Sequence, residues 1–298
     1  ATVAIKEWRK NNKLICQIKL KYKKVLRKCR EIPLAGGKYK EYQALCDKYV
    51  CARLTGATQG LVSFQDKPFK AYLNKKMSRR AKLDIAYGSL IFIEKTFSAA
   101  ALPQLYNVVE YGLTVAEIPL KNGSHIAVKL LASPFQEEGE LMLLMLQDGK
   151  RIYSICFSCT EDGRAYIGGI QGGKDIANDE IKVLTKELHG TRPKNLIISL
   201  LYGFLQHSDI KEIYAIDSDF HVKSEKVQTS YAALWLEVGG EKHRRGWYKL
   251  PPQEIKKSIE EVKSKQRSQF IKREGLKELA QLEMKAALRQ ISGSRPVN

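Results

Sequence analysis

A chain of 298 residues that is 44% hydrophobic can bury a sizeable core, and its length suits one or two domains. No run approaches the roughly 18 uninterrupted apolar residues of a membrane-crossing helix, and the basic N-terminus lacks the apolar stretch of a secretion signal. A net charge of +19 directs the search toward anionic partners, whether nucleic acid, anionic lipid or an acidic protein, without choosing among them.

The charge is unevenly spread. Residues 1–96 carry +16, residues 97–241 carry −6 and residues 242–298 carry +9. The ends are basic and the middle is acidic. The six cysteines are Cys16, Cys29, Cys46, Cys51, Cys156 and Cys159. None makes a paired zinc spacing, so no metal site is expected. Cys156 and Cys159 fall on a strand-like run, where an i,i+3 pair points to opposite faces. The set reads as free thiols in a reducing, cytoplasmic compartment.

In chain order, Lys13 to Glu31 predicts a basic helix, and Tyr39 to Leu54 a second after the break at Pro33 to Gly37. Lys67 to Lys76 predicts a third, with Pro68 at its start. Ser78 is placed to cap a fourth over Arg79 to Phe97. Residues 1–105 thus read as a helical, basic N-terminal region and 106–298 as a mixed α/β domain. From Leu113 the period shortens. Thr114 to Leu120 and His125 to Ala132 flank the turn Lys121-Asn122-Gly123-Ser124. Glu140 to Gln147, Arg151 to Thr160 and Arg164 to Ile170 follow as a meander, with Asp148-Gly149 and Glu161-Asp162-Gly163 as its turns.

The last of these strands enters a glycine run, Gly168-Gly169-Ile170-Gln171-Gly172-Gly173. It has neither the P-loop nor the dinucleotide-binding spacing. A polar helix over Asp179 to Leu188, the turn His189-Gly190-Thr191-Arg192-Pro193-Lys194, an apolar helix over Asn195 to Gln206 and a strand over Glu212 to Ile216 complete a layout that builds a cleft. The Arg192/Lys194 turn precedes a helix N-terminus, where free N–H groups and the dipole favour an anion. The plainer reading of the glycines is a turn or bulge. Beyond the strand come Asp217, Asp219 and His221, then Ser230 to Gly240, a short strand at Trp247 to Leu250, and a long polar helix from Glu254 to about Leu288.

Several runs in this order resemble the VirK/YbjX family of bacterial proteins: Glu138-Gly139-Glu140-Leu141, Ile167 to Gly172, Leu188 to Lys194, His221-Val222, Trp235 to Gly240, Leu250-Pro251 and Ser264-Lys265-Gln266-Arg267. The resemblance spans roughly residues 40 to 280. It implies a bacterial cytoplasmic or membrane-associated protein linked to virulence, envelope stress and resistance to cationic antimicrobial peptides, and it transfers no catalytic residues.

The order of elements suggests an α+β fold of GNAT-like topology and, with it, an acyltransferase that moves an acyl group from a thioester to an amine or hydroxyl. The donor would be acyl-coenzyme A or an acyl carrier protein, the latter suited to the basic ends. Gly169, Gln171, Gly172, Gly190, Thr191, Arg192 and Lys194 are the candidate donor-binding residues. The extra helix Asp179 to Leu188 and the lack of the usual glycine spacing depart from the GNAT pattern. His189 and His221 are candidate bases, with Asp217 and Asp219 to orient them. Each histidine equally suits a capping or core role, and Glu140, opening a strand, reads as solvated. The alternative is a peripheral protein that binds anionic membrane or an acidic partner through the helices Lys13–Glu31 and Lys67–Lys82, with Tyr22, Tyr39, Tyr42, Phe69 and Tyr72 interleaved. Nucleic acid ranks last, since no helix-turn-helix, zinc finger or RNP signature is present.

Overall fold

The structure, a computed structural model, describes residues 36–53, 65–106, 112–174, 176–226 and 230–293. The chain divides into two compact units, residues 1–45 and 46–298. The basic helix expected over Lys13 to Glu31 lies outside the described residues. Helix α1, Gly37–Arg53, covers the second expected helix.

A third basic helix does not form. Only a 3-10 turn, Lys67–Phe69, stands in the stretch from Lys67 to Lys76. The reason is tertiary. Lys67 and Tyr72 are both buried, and the Lys67 ammonium lies 2.5 Å from Glu140 Oε1. A segment that commits its cation and its aromatic ring to the interior cannot present them to a membrane, which removes Lys67 and Tyr72 from the surface contact expected of them. Helix α2, Arg79–Thr96, begins as the sequence predicts, with Ser78 Oγ accepting the Ala81 N–H at 3.2 Å. A short helix α3, Ala101–Leu105, follows.

Five strands then form the meander: β1 Leu113–Pro119, β2 His125–Ala132, β3 Leu141–Gln147, β4 Lys150–Thr160 and β5 Arg164–Gly172. Each pairs antiparallel with the next. β3 is a nearly continuous apolar run because both faces of the sheet centre are covered. On β4, Phe157 meets Phe204 edge-on at 5.2 Å, while Thr160 lies against Gly88 of α2. These two side chains point to opposite faces, so helices cover both sides of the strand. Leu131, Met142, Leu144, Leu146 and Cys156 form one buried cluster, each large aliphatic chain contributing about 1.5–3 kcal/mol.

Two helices, α4 Asn178–Glu187 and α5 Pro193–His207, cross from β5 to β6, Glu212–Ile216. The crossover lets β5 and β6 pair in parallel, which a tight turn cannot do. Helix α6, Tyr231–Glu237, leads to β7, Glu241–His243, and β8, Trp247–Leu250. The sheet order is β1-β2-β3-β4-β5-β6-β8-β7. An antiparallel meander feeding a parallel pair across a helical crossover is the GNAT-like α+β arrangement that the order of elements implied. The closing helix α7, Ser264–Ile291, packs on α5 and β1. It starts ten residues later than Glu254, because Glu254 is instead held by Ser199 on α5 and by Lys277 on α7.

The glycine run is not a loop. β5 continues through Gly172, and Gly168 and Gly169 sit inside the strand. Their role is space. A Cβ on Gly168 would fall 2.0 Å from the Glu138 carbonyl oxygen, and one on Gly169 would fall 2.5 Å from Glu138 Oε2. Among the described residues no helix is long and apolar enough to cross a membrane.

Candidate functional site

The parallel pairing of β5 and β6 ends at Ile167 and Ala215, and β5 runs on alone toward Gly172. Helix α6 fills the gap that opens. The Tyr231 hydroxyl donates to the Ile170 carbonyl at 3.1 Å, and the Trp235 indole donates to the Ile216 carbonyl at 2.8 Å. These contacts satisfy strand-edge groups that would otherwise be buried without partners.

Over the glycine face of β5 lies the β2–β3 connection. Leu73 N–H donates to the Glu137 carbonyl at 2.7 Å, and Glu140 N–H donates to the Phe157 carbonyl at 3.1 Å. Gly139 permits this approach, since a Cβ there would come within 2.6 Å of the Phe157 nitrogen. The result is a carboxylate, Glu138, wholly buried against the sheet. Gln171 Nε2 donates to both of its oxygens, at 2.9 and 2.8 Å. His221 Nε2 stands 3.6 Å from Glu138 Oε1, and Lys223 Nζ stands 4.0 Å from the same oxygen.

The electrostatics follow from burial. Loss of water pushes the Glu138 carboxyl up to about 7, with Lys223 and Gln171 opposing and Glu137 adding to the rise. Burial also lowers the His221 pKa. His221 Nδ1 accepts the Lys223 N–H at 3.0 Å, so the neutral ring carries its proton on Nε2 and aims it at Glu138. Nε2 has no hydrogen-bond partner. Lys223, half-buried, pairs with Glu137 and lies over the Phe135 ring at 5.7 Å, forming the outer end of the cluster. Burial raises the Tyr231 phenol to about 12, so it remains a donor. A carboxyl poised near neutrality, beside an imidazole N–H, has the properties of a proton acceptor at cellular pH.

A second buried set adjoins it through the same connection. Glu140 is 4% exposed, contrary to the solvated position expected at a strand's start. It accepts from the Tyr72 hydroxyl at 3.0 Å, and Tyr72 also bonds Ser158 at 2.9 Å. Burial lowers the Lys67 pKa and Glu140 opposes that effect.

Of the residues singled out in the sequence, the fold gathers Gly169, Gln171 and His221 around Glu138. Gly172 lies against the Tyr153 ring. Asp217, 8% exposed, caps the 3-10 turn Ser218–Phe220 by accepting the Asp219 N–H at 3.2 Å, and Asp219 is exposed. Neither aspartate touches His221 with its side chain among the described contacts. His189 sits elsewhere, at the end of α4 with a φ of 53°; burial, Lys121 and Lys272 lower its pKa. Gly190, at φ 84°, faces Gln269 of α7. Thr191 is buried, and Arg192 is the exposed N-cap of α5. Lys194 and Arg192 border a groove with Tyr153 and Ile181. Glu138 escaped sequence reasoning because a charged residue in a loop carries no burial signal; its one trace was its place in the Glu138-Gly139-Glu140-Leu141 run. Among the described residues no cluster of acidic, histidine or cysteine side chains has a metal-holding geometry.

A family model described as a protein of unknown function (DUF535) matches residues 38–286. An uncharacterized protein, YbjX, of Escherichia coli (strain K12) is 28% identical over 234 residues, which is 74% of this chain and 70% of that one. An uncharacterized protein of Haemophilus influenzae is 27% identical over 135 residues, 43% of this chain and 45% of that one. Among solved structures, a mutant cAMP-binding acyltransferase from Mycobacterium smegmatis superposes with a TM-score of 0.33 at 10% identity, over 63% of this chain and 60% of that one. A superposition this loose assigns no activity.

Proposed function

This chain belongs to the DUF535 family, the YbjX/VirK group of bacterial proteins, and we propose that it is an acyltransferase, moving an acyl group from a thioester of coenzyme A or of an acyl carrier protein to an amine or hydroxyl. The observation that supports this is Glu138: a carboxyl raised to about 7, beside His221, over strand glycines at the open end of a parallel strand pair.

In this reading the Glu138 carboxylate takes the proton from the acceptor N–H or O–H. The acceptor's lone pair forms the new bond to the thioester carbonyl, the C–S bond breaks, and the thiolate leaves to be protonated to the thiol. His221 Nε2–H steadies the carboxylate and Gln171 fixes its orientation. The thioester arm lies along the unpaired edge of β5 beyond Ile167, where Tyr231 now occupies the Ile170 carbonyl. Lys223 and Glu137 give way to admit the acceptor.

Release of free thiol, followed with a panel of acyl-coenzyme A and acyl carrier protein donors and amine acceptors, tests the reading. Turnover that falls about 100-fold or more in Glu138→Gln, with the fold intact, supports it. Undiminished turnover in Glu138→Gln moves the base elsewhere. No thiol release with any donor, together with salt-sensitive retention on anionic vesicles, favours the peripheral-binding alternative.

A further inference from the structure

A groove of about 600 Å³ runs between the N-terminus of α5, the C-terminus of α6 and the face of α7, and it shares no lining residue with the Glu138 cluster. Its volume is that of a small-molecule site. Three buried polar atoms on its lining residues have no hydrogen-bond partner: Thr191 Oγ1, Asn195 Oδ1 and the Tyr202 hydroxyl. Thr191 is 2% and Tyr202 3% exposed. Asn195, Ile198 and Tyr202 follow a helical spacing that sets them on one face of α5. Buried polar atoms of folded proteins are overwhelmingly paired, so three orphans on one groove call for an explanation.

Charge narrows what could satisfy them. Lys277 pairs with Glu254 at 3.1 Å and with Glu274 at 3.3 Å, and Lys256 pairs with Glu278 at 3.1 Å. Arg192 and Lys257 also line the groove and, among the described residues, have no carboxylate partner. Arg192 stands at the N-cap of a 15-residue helix, where the dipole adds positive potential. Asn195 Nδ2 donates to Glu237 Oε1 at 3.1 Å, which orients the amide and leaves Oδ1 as an acceptor that needs a donor. Thr191 and Tyr202 offer hydroxyl donors. Burial and Glu254 hold the Tyr202 phenol protonated.

We propose that this groove binds a small hydroxylated phosphate ester, its phosphate on Arg192, Thr191 and the α5 N-terminus and a hydroxyl donating to Asn195. The inference stands on the groove alone and does not require acyl transfer.

Isothermal titration of the full chain with glycerol 1-phosphate and with inorganic phosphate tests it. The ester binds more tightly than inorganic phosphate by about threefold or more, and Asn195→Ala erases that preference. Arg192→Gln weakens ester binding about tenfold or more, while Lys211→Gln, outside the groove, leaves it unchanged. Thr191→Val weakens binding yet leaves the ligand-free melting temperature equal or higher, because it removes an orphan hydroxyl; a purely structural threonine gives the reverse. Failure of glycerol 1-phosphate to bind, or equal binding by wild type and Arg192→Gln, overturns the proposal.

Discussion

Gln171 donates both of its measured hydrogen bonds to one carboxylate, reaching Glu138 Oε1 at 2.9 Å and Oε2 at 2.8 Å from the neighbouring position on β5. Those bonds favour the ionised form and hold back a pKa that burial drives upward. Gln171→Leu therefore raises the Glu138 pKa above its value of about 7. If turnover depends on the ionised carboxylate, the acid limb of the pH–rate profile moves to higher pH in this variant. An unmoved acid limb would separate Glu138 from the titrating group.

The same raised pKa makes a stability prediction. Between the unfolded value of 4.5 and the folded value of about 7, the native protein holds a proton that the unfolded chain has released. Stability from this group therefore falls as pH rises through that window, by up to about 3 kcal/mol. His221 acts in the opposite sense, because its lowered pKa costs stability as pH falls below 6.5. Glu138→Gln removes the carboxyl term. It is expected to be near neutral at pH 5 and stabilising at pH 8, as urea unfolding at the two pH values will show.

The strand glycines give a graded series. Gly168→Ala sets a Cβ 2.0 Å from backbone, and Gly169→Ala sets one 2.5 Å from the Glu138 carboxylate, whereas a Cβ on Gly172 meets only the Tyr153 ring at 3.6 Å. Overpacking of this kind costs about 1–3 kcal/mol. Melting temperatures are expected to fall most for Gly168→Ala, less for Gly169→Ala and least for Gly172→Ala. Gly169→Ala also displaces the carboxylate and lowers turnover. Equal melting temperatures across the series would show that the connection carrying Glu138 does not press on β5.

The buried Lys67–Glu140 pair predicts strong coupling. Lys67→Met leaves Glu140 buried with its Tyr72 bond but no cation, which costs about 3–5 kcal/mol. Adding Glu140→Gln removes the stranded charge and recovers part of that loss. A double-mutant cycle in chemical denaturation measures the coupling, and additive losses would exclude it.

Local pattern sufficed for the meander, the crossover helices and the strand Glu212 to Ile216. Alternating apolar residues, Asp-Gly turns and the Ser78 cap act over a few residues, and the chain displays them directly. The charged ends were equally plain. What packing decided was which charged groups leave water. Lys67 through Tyr72 has a basic, aromatic composition that reads as surface helix, yet Glu140, some 70 residues away, draws it inside. Gly168 and Gly169 have the composition of a loop but remain strand, because the Glu138 connection crosses them too closely for any side chain. Glu138 and His221 are separated by more than 80 residues, and no local period links them. Their meeting depends on the sheet order and on β5 outrunning β6. Burial then sets the carboxyl's proton affinity, and burial belongs to the folded molecule, whose neighbours remove the water.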